Sequence, residues 1–263
     1  VFAGMRDLAK GEKLLELGAG LDITTVEVDV SNTESVDSCA EQVFAACEGV
    51  DVLVNNAGVG YNAVTEDIDI DHGKAVMDVN VWGPVRCVQA FVPHMRERGS
   101  GHVVQVSSVA GLIAAIGQTV YAGSKFALEG MSESLAQELA PFGIRVHIIE
   151  PGVTRTAILP KNEGNPTPTA YQSHYDRMFE FYMAGIAAAV QADVVADTIH
   201  DAITSDHYRL RRVCAWGGDE IAAGRRAMSD EQWVELGAAA TDAEGYKAAF
   251  RDAFDLEIGP VGG

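Results

Sequence analysis

The segment YAGSK, residues 121–125, brings a phenol and an ammonium group four positions apart. At the start of a helix, side chains at this spacing lie on one face, so the Lys125 ammonium would lie beside the Tyr121 hydroxyl. A nearby cation favours the phenolate and lowers the pKa of the tyrosine. A decrease of about three pH units requires about 4 kcal/mol of preferential phenolate stabilisation. The pair therefore predicts proton transfer at neutral pH.

Such a pair is common by chance, so the residues around it decide its meaning. Three motifs with small and polar residues follow expected strands: NNAG (55–58), VSSVAG (106–111) and PGVTRT (151–156). In a parallel sheet the carboxyl ends of the strands form the ligand crevice. We therefore expect Asn56, Ser108 and Pro151 to meet there beside Tyr121.

The elements that must position these residues alternate between strands and helices. Runs rich in β-branched residues predict strands at 1–5, 23–30, 50–56, 102–108, 144–151 and 210–215. Helical periodicity predicts helices at 6–18, 33–48, 70–97, 120–141, 173–190 and 191–204, with further helices to about 254. This alternation predicts an α/β fold with a parallel sheet between helices.

Together with DVNVWG (78–83), the order and spacing of these motifs resemble the short-chain dehydrogenase/reductase family, from Val1 to about residue 204. The resemblance implies one Rossmann-like domain over 1–263, a doubly wound parallel sheet. It also implies that Tyr121 is the general acid/base and that Lys125 lowers its pKa and holds the nicotinamide ribose. Ser108 would hydrogen-bond the substrate oxygen, and Asn80 would hold a water that relays the proton to solvent.

The resemblance also assigns a cofactor site. Asn56, Ala57 and Gly58 would line the adenosine side, and Asp29 and Val30 would contact adenine. The nicotinamide amide and the pyrophosphate would be held by Pro151, Gly152, Thr154 and Thr156. NAD-dependent members usually carry an acidic residue at the end of the second strand, where this chain has Met5 and Arg6. A guanidinium there suits a 2′-phosphate, so NADP is expected over NAD. The alternative is that Arg6 is a solvated charge paired with Asp7.

The expected substrate is a hydrophobic ketone or secondary alcohol. By resemblance to hydroxysteroid dehydrogenases and ketone reductases, five residues would line its pocket: Ala115, Ile116, Gln118, Tyr61 and Val153. Segment 157–190, a Pro-rich loop and a helix carrying Tyr175, Phe179 and Tyr182, would close over it. Two alternatives stay open: an epimerase or dehydratase of the same fold, and a non-catalytic binding or regulatory module.

Composition excludes other classes of function. The formal charge of −19 repels nucleic acid and anionic membranes, so neither is an expected partner. With no signal-like start and no long apolar stretch, a cytoplasmic location is expected. The four cysteines and seven histidines lack metal-ligand spacing, so no metal is expected. LGAGLD (17–22) is interpreted as a helix end and turn, and DIDIDHG (67–73) as a helix cap.

Two expectations concern what surrounds the chain. In the strand order 3-2-1-4-5-6 of this family, VFAGM (1–5) is the second strand. We therefore expect a first strand, a Gly-rich turn and a helix, roughly 30 residues, before Val1 in the native protein. The resemblance further implies a homo-dimer or homo-tetramer assembled through the helices near 85–97 and 120–141.

Overall fold

Six parallel strands form two sheets in the computed structural model, which describes residues 1–156, 158, 170–188, 190–238 and 243–259. One sheet pairs β1 (Phe2–Met5) with β2 (Thr24–Glu27). The other has the order β3 (Val52–Asn55), β4 (Gly101–Val106), β5 (Ile144–Pro151) and β6 (Arg211–Cys214). Ten α-helices occur in these residues: α1 (Glu12–Leu17), α2 (Thr33–Ala46), α3 (Ile70–Met77), α4 (Gly83–Arg98), α5 (Thr119–Leu139), α6 (Gln172–Ala187), α7 (Asp193–Thr204), α8 (Gly218–Ala227), α9 (Asp230–Ala238) and α10 (Ala243–Phe254).

Helices cover both faces of the larger sheet. Successive residues of β4 point to opposite sides, so Val103 packs with Met95 of α4, and Val104 packs with Ala202 of α7. In β5, Ile148 and Ile149 are both fully buried. This burial on both sides explains why β4 and β5 carry apolar residues on both faces, and it confirms the predicted doubly wound α/β fold.

β1 and β3 do not pair in the described residues, since β1 hydrogen-bonds to β2 and β3 to β4. In the strand order 3-2-1-4-5-6 another strand lies between these two, so direct pairing of β1 with β3 is not expected. The strand before Val1 stays a prediction, as does the extent of the domain.

The helix expected over 70–97 is wrong in one respect, because a π-helical turn at Asp78–Trp82 separates α3 from α4. Pro84, near the start of α4, lacks a backbone N–H, and Asn80 bonds to a neighbouring loop instead of following a regular helical face. The helix expected over 6–18 begins with a 3-10 turn, Leu8–Gly11, capped by Asp7, and is α-helical only over α1.

The short motifs that were interpreted as caps are caps. The Asp69 carboxylate accepts from the backbone N–H groups of Asp71 and His72 at the start of α3. Gly18 ends α1, and Gly20 has a φ of +91° in the turn that follows. Both interpretations are confirmed.

The carboxyl end of the sheet is covered by residues beyond 170. Ala184 of α6, Ile221 of α8, Leu236 of α9 and Phe250 of α10 form one buried cluster with Val109, which follows β4. Residues 157 and 159–169, most of the expected substrate loop, lie outside the described residues. None of the helices described is both long and apolar enough to span a bilayer.

Candidate active site

Ser108 and Tyr121 meet where β4 ends and α5 begins. The Ser108 Oγ accepts from the Ala110 backbone N–H at 3.1 Å and donates to the Pro151 carbonyl at 3.3 Å, which holds the side chain at the carboxyl edge of the sheet. Tyr121 lies in the first turn of α5. Burial raises the pKa of Tyr121, and a hydrogen bond with Ser108 opposes this increase. The predicted serine–tyrosine pair is therefore assembled.

Lys125 lies one helical turn after Tyr121, with its Nζ 5.8 Å from the centre of the phenol ring. The side chain is buried, and Nζ donates to the Val106 carbonyl at 3.0 Å. Burial lowers the pKa of Lys125 to about 8, although the nearby Glu129 carboxylate favours the ammonium. An ammonium has three donors, so the two that Val106 does not use can serve a ligand in the adjoining cleft.

The expectation of a lowered tyrosine pKa counted the Lys125 ammonium together with a cationic cofactor ring. In the protein alone the pKa of Tyr121 is raised. Burial disfavours the phenolate more than the hydrogen bond to Ser108 favours it. Lowering this pKa therefore requires a further cation in the cleft.

Asn80 lies in the π-helical turn, buried behind Lys125. Its amide oxygen accepts from the Val59 N–H at 2.9 Å, and its amide nitrogen donates to the Val59 carbonyl at 2.9 Å and to the Ser124 Oγ at 3.0 Å. These bonds fix the loop after β3 against α5. The side chain of Asn80 therefore positions the site through Val59 and Ser124.

One cleft of about 660 Å³ joins most of the predicted residues. Its wall includes Ser108, Tyr121 and Lys125, and also these predicted cofactor and substrate residues: Asn56, Ala57, Gly58, Pro151, Gly152, Thr154, Thr156, Ala115, Ile116, Gln118 and Val153. A Cβ at Gly58 would lie 3.5 Å from Asn80 Oδ1 and 3.8 Å from Lys125 Nζ. At Gly152 it would lie 1.9 Å from the Trp216 carbonyl oxygen, so the loop after β5 requires glycine.

Arg6, Asp29 and Val30 lie at the ends of β1 and β2, outside the wall of this cleft. Hydrogen bonds from Ser31 are the main reason that the pKa of Asp29 is lowered, and the charge of Arg6 contributes. The Val30 carbonyl accepts from Arg86 Nη1 at 3.1 Å. The ion pair of Asp7 in the structure is with Lys10, at 3.8 Å, and not with Arg6.

The structure does not bring Tyr61 to the cleft. Its hydroxyl accepts from the Asp69 N–H at 2.8 Å, and its ring packs with Ala63 and Val76. The next residue, Asn62, lines the cleft instead. The loop therefore turns residue 61 toward α3, and the prediction was displaced by one position.

A polar group that sequence reasoning did not assemble lies beside Tyr121. Tyr182 Oη accepts from the Gln118 side-chain amide and donates to Asn62 Oδ1 at 3.3 Å. Burial and the neighbouring Tyr121 raise the pKa of Tyr182, so its hydroxyl stays protonated at neutral pH. The position of Tyr182 on the expected covering helix was the available signal, whereas Phe179 on the same helix is 61% exposed.

Aromatic side chains from the end of the chain complete the wall. Trp233 of α9 and Tyr246 and Phe250 of α10 line the cleft together with Phe181 of α6. Their helical spacing is typical of an ordinary core, so nothing in the sequence distinguishes them as pocket residues. In the described residues no group of three His, Cys, Asp or Glu side chains could hold a metal ion.

Known proteins are similar to this chain in sequence and in fold. A family profile described as short chain dehydrogenase matches residues 2–166. The 17-beta-hydroxysteroid dehydrogenase type 1 of Homo sapiens is 41% identical over 188 residues, which cover 69% of this chain and 56% of the human protein. This chain thus spans little more than half the length of that relative.

Solved structures agree with the sequence comparison. A short-chain dehydrogenase from Streptomyces avermitilis is 30% identical with a TM-score of 0.77, over 90% of this chain and 86% of the other. A short-chain dehydrogenase/reductase from Burkholderia phymatum, solved in complex with NAD, is 27% identical with a TM-score of 0.69, over 80% of this chain and 78% of the other. Because the profile spans more than half of the residues, the resemblance stated from the motifs is confirmed, and the chain belongs to the short-chain dehydrogenase family.

Proposed function

We propose that the protein is an NADP-dependent oxidoreductase, which transfers a hydride between the nicotinamide and a carbonyl or secondary alcohol of a hydrophobic substrate. The observation that carries this proposal is the grouping of Ser108, Tyr121 and Lys125 on the wall of one largely apolar cleft. A carbonyl oxygen between Ser108 and Tyr121 would meet one hydrogen-bond donor and one proton donor. This is the arrangement that a reduction requires.

The cleft fits a dinucleotide on three grounds. The small residues Ala57 and Gly58 after β3 leave room for backbone approach. The loop from Pro151 to Thr154 lies at the end of β5, at the carboxyl edge where parallel sheets bind ligands. Lys125 has ammonium donors available for ribose hydroxyls. These groups would hold the cofactor, with Lys125 nearest the nicotinamide ribose.

In the reducing direction Tyr121 donates its hydroxyl proton to the carbonyl oxygen of the substrate, and Ser108 holds the same oxygen. A nicotinamide held by these residues would supply the hydride and, in its oxidised form, a positive charge. The Lys125 ammonium favours the tyrosine phenolate against the effect of burial, and such a charge would add to it. In the oxidising direction Tyr121 accepts the proton of the alcohol.

The substrate is a hydrophobic molecule with a polar end. Ile113, Val153, Phe181, Trp233 and Phe250 give the cleft its apolar wall. Tyr182 and its hydrogen-bond partners Gln118 and Asn62 offer polar atoms beside Tyr121. This suits a substrate whose reacting oxygen lies at one end of an apolar body. This chemistry fits a hydrophobic ketone better than a sugar.

The first experiment measures NADPH and NADH binding by fluorescence titration and then turnover on a panel of hydrophobic ketones. We expect Tyr121→Phe to fold and bind NADPH like the wild type but to lose turnover at least about a hundredfold, because only the ionisable oxygen is removed. Tyr208→Phe is the matched control, since its hydroxyl bonds to the Val146 carbonyl outside the cleft wall. Wild-type turnover in Tyr121→Phe would refute Tyr121 as the general acid/base, and absence of turnover in the wild type on every ketone of the panel would favour a binding module.

A second experiment tests the preference for NADP over NAD. Arg6 is exposed at the end of β1, where a guanidinium can pair with a 2′-phosphate. We expect Arg6→Ala to weaken NADPH binding by about 1.5–3 kcal/mol and to leave NADH binding nearly unchanged. Lys10→Ala, which removes another exposed cation nearby, is the control. Equal losses for both cofactors in Arg6→Ala would contradict the assignment.

We further propose a homo-dimer or homo-tetramer that uses α4 and α5. Phe126 of α5 is 45% exposed and Trp82, just before α4, is 53% exposed. Large apolar side chains at these positions favour burial against a second copy. Light scattering should give a mass at least twice that of one chain, and Trp82→Glu with Phe126→Glu should reduce it to that of one chain.

A further inference from the structure

Three carboxylates surround one guanidinium behind the active site. Arg211 at the start of β6 places Nε 2.9 Å from Glu129 Oε2 and 3.2 Å from Glu150 Oε1, and its Nη2 lies 2.7 Å from Glu133 Oε1. Glu129 and Glu133 lie on α5, and Glu150 lies near the end of β5. The three acidic groups thus come from two elements that also carry the active site.

The charges of this cluster do not balance if every carboxyl is ionised. The Glu133 side chain is 54% exposed, so water can solvate its charge, but the side chains of Glu129 and Glu150 are 7% and 0% exposed. Arg211 can neutralise one of these two buried carboxylates. Lys125 and Arg226 are the next cations, and among the described residues neither forms an ion pair with Glu129 or Glu150. A second buried carboxylate without a cation in contact is unfavourable, which favours a proton on one of the two.

The hydrogen bonding points the same way. Among the described residues Glu129 Oε1 and both oxygens of Glu150 are buried without a hydrogen bond of good geometry, although the Ser107 hydroxyl lies close to Glu129 and Arg211 Nε lies 3.2 Å from Glu150 Oε1. Ionised carboxylates only accept, whereas a protonated carboxyl also donates. One proton between the two glutamates therefore supplies a donor where acceptors face each other.

Glu129 is held in place by close packing. A Cβ at Gly111 would lie 2.8 Å from both Glu129 Cγ and Ser107 Oγ, so only glycine leaves space for this carboxyl group. Glu129 follows Lys125 by one helical turn, and both side chains are buried. The charge of Glu129 favours the ammonium of Lys125 against the effect of burial.

Other charged and titratable groups face the pair. Burial and the proximity of Glu129 raise the pKa of Glu150 to about 7, whereas Arg211 and Arg226 of α8 lower it. Burial also raises the pKa of Glu129, and hydrogen bonds with Ser107 and Arg211 oppose this. Burial raises the pKa of the Cys214 thiol on β6, and the charges of Asp219 and Glu150 add to this increase.

We propose that Glu129 and Glu150 share one proton, and that Glu129 is a positioning residue which keeps Lys125 protonated beside Tyr121. The shared proton stands independently of the activity, whereas the role of Lys125 rests on the proposed function. As pH rises and the shared proton leaves, both glutamates become ionised. The cluster then favours the lysine ammonium more strongly, which extends the pH range in which Lys125 is charged.

Two isosteric variants separate this proposal from a structural role. In Glu150→Gln the amide replaces the protonated carboxyl, so Glu129 is ionised throughout the pH range around 7. In Glu129→Gln the charge nearest Lys125 is removed. We expect the Lys125 pKa to decrease by about one unit in Glu129→Gln and not to decrease in Glu150→Gln. If the cluster only stabilised the fold, both variants would leave this pKa in place.

The measurements use the protein without ligands, so they stand apart from the proposed activity. Carbon-13 NMR of labelled lysine follows Lys125 among the six lysines of the chain, with Lys125→Arg for assignment. Infrared difference spectra between about pH 6 and pH 8 should show loss of a protonated carboxyl band in the wild type, and no such loss in Glu150→Gln.

An equal Lys125 pKa in Glu129→Gln and the wild type would overturn the positioning role. Absence of the infrared band from the wild type would overturn the shared proton. If Glu129→Gln does not fold, Glu129→Met provides a second neutral variant of similar length for the NMR titration. Wild-type protein that bound no NADPH would refute the proposed function while leaving both of these measurements valid.

Discussion

Replacement of Asn80 by alanine tests whether the π-helical turn positions the cleft. The change removes three hydrogen bonds, two to the backbone of Val59 and one to Ser124 Oγ, all between 2.9 and 3.0 Å. A net hydrogen bond contributes about 0.5–1.5 kcal/mol, and Asn80 itself is 1% exposed. We therefore expect the free energy of unfolding to decrease by about 3 kcal/mol.

The same change should weaken cofactor binding, because Val59 follows the residues Asn56 to Gly58 that line the cleft. Urea unfolding and NADPH titration measure the two effects. Asn32→Ala is the matched control, since it removes a single exposed cap of α2, a bond of 2.9 Å to the Ser35 N–H, and should cost about 1 kcal/mol. If Asn80→Ala were no less stable than Asn32→Ala and bound NADPH like the wild type, the reasoning would be refuted.

Two further predictions concern the sheet and its edge. Gly152→Ala should lower both the melting temperature and NADPH affinity, because the new Cβ would overlap the Trp216 carbonyl at 1.9 Å. Gly123→Ala, whose new Cβ would have no atom within 4 Å beyond its chain neighbours and the nearby backbone of its own helix, should instead stabilise α5 by about 0.5–1 kcal/mol. Burial lowers the pKa of His147 from 6.5 to about 4, so between these values the unfolded chain binds a proton that the folded chain does not. Stability should therefore fall as pH falls through this range, by up to about 3 kcal/mol, and urea unfolding at several pH values should show a smaller loss in His147→Gln.

The periodicity of the sequence determined the parallel sheet and its order of elements. Ile144–Pro151 is a strand over the same residues that the β-branched run predicted, because a strand buried on both faces carries apolar residues on both, here with His147 and Glu150 as buried polar exceptions. The serine, tyrosine and lysine could be placed together as well, since helical spacing and the carboxyl edge of a parallel sheet are local rules. Local hydrogen bonding also fixed the cap at Asp69.

Only the tertiary structure decided the direction of single side chains and the balance of charges. Tyr61 and Asn62 are adjacent, and the path of their loop alone turned one to α3 and the other to the cleft. The pKa of Tyr121 is raised because burial depends on every element packed around it, which the spacing to Lys125 does not contain. Likewise, Glu129 and Glu150 meet at Arg211 across distant parts of the chain, and no local pattern places two carboxylates beside one guanidinium.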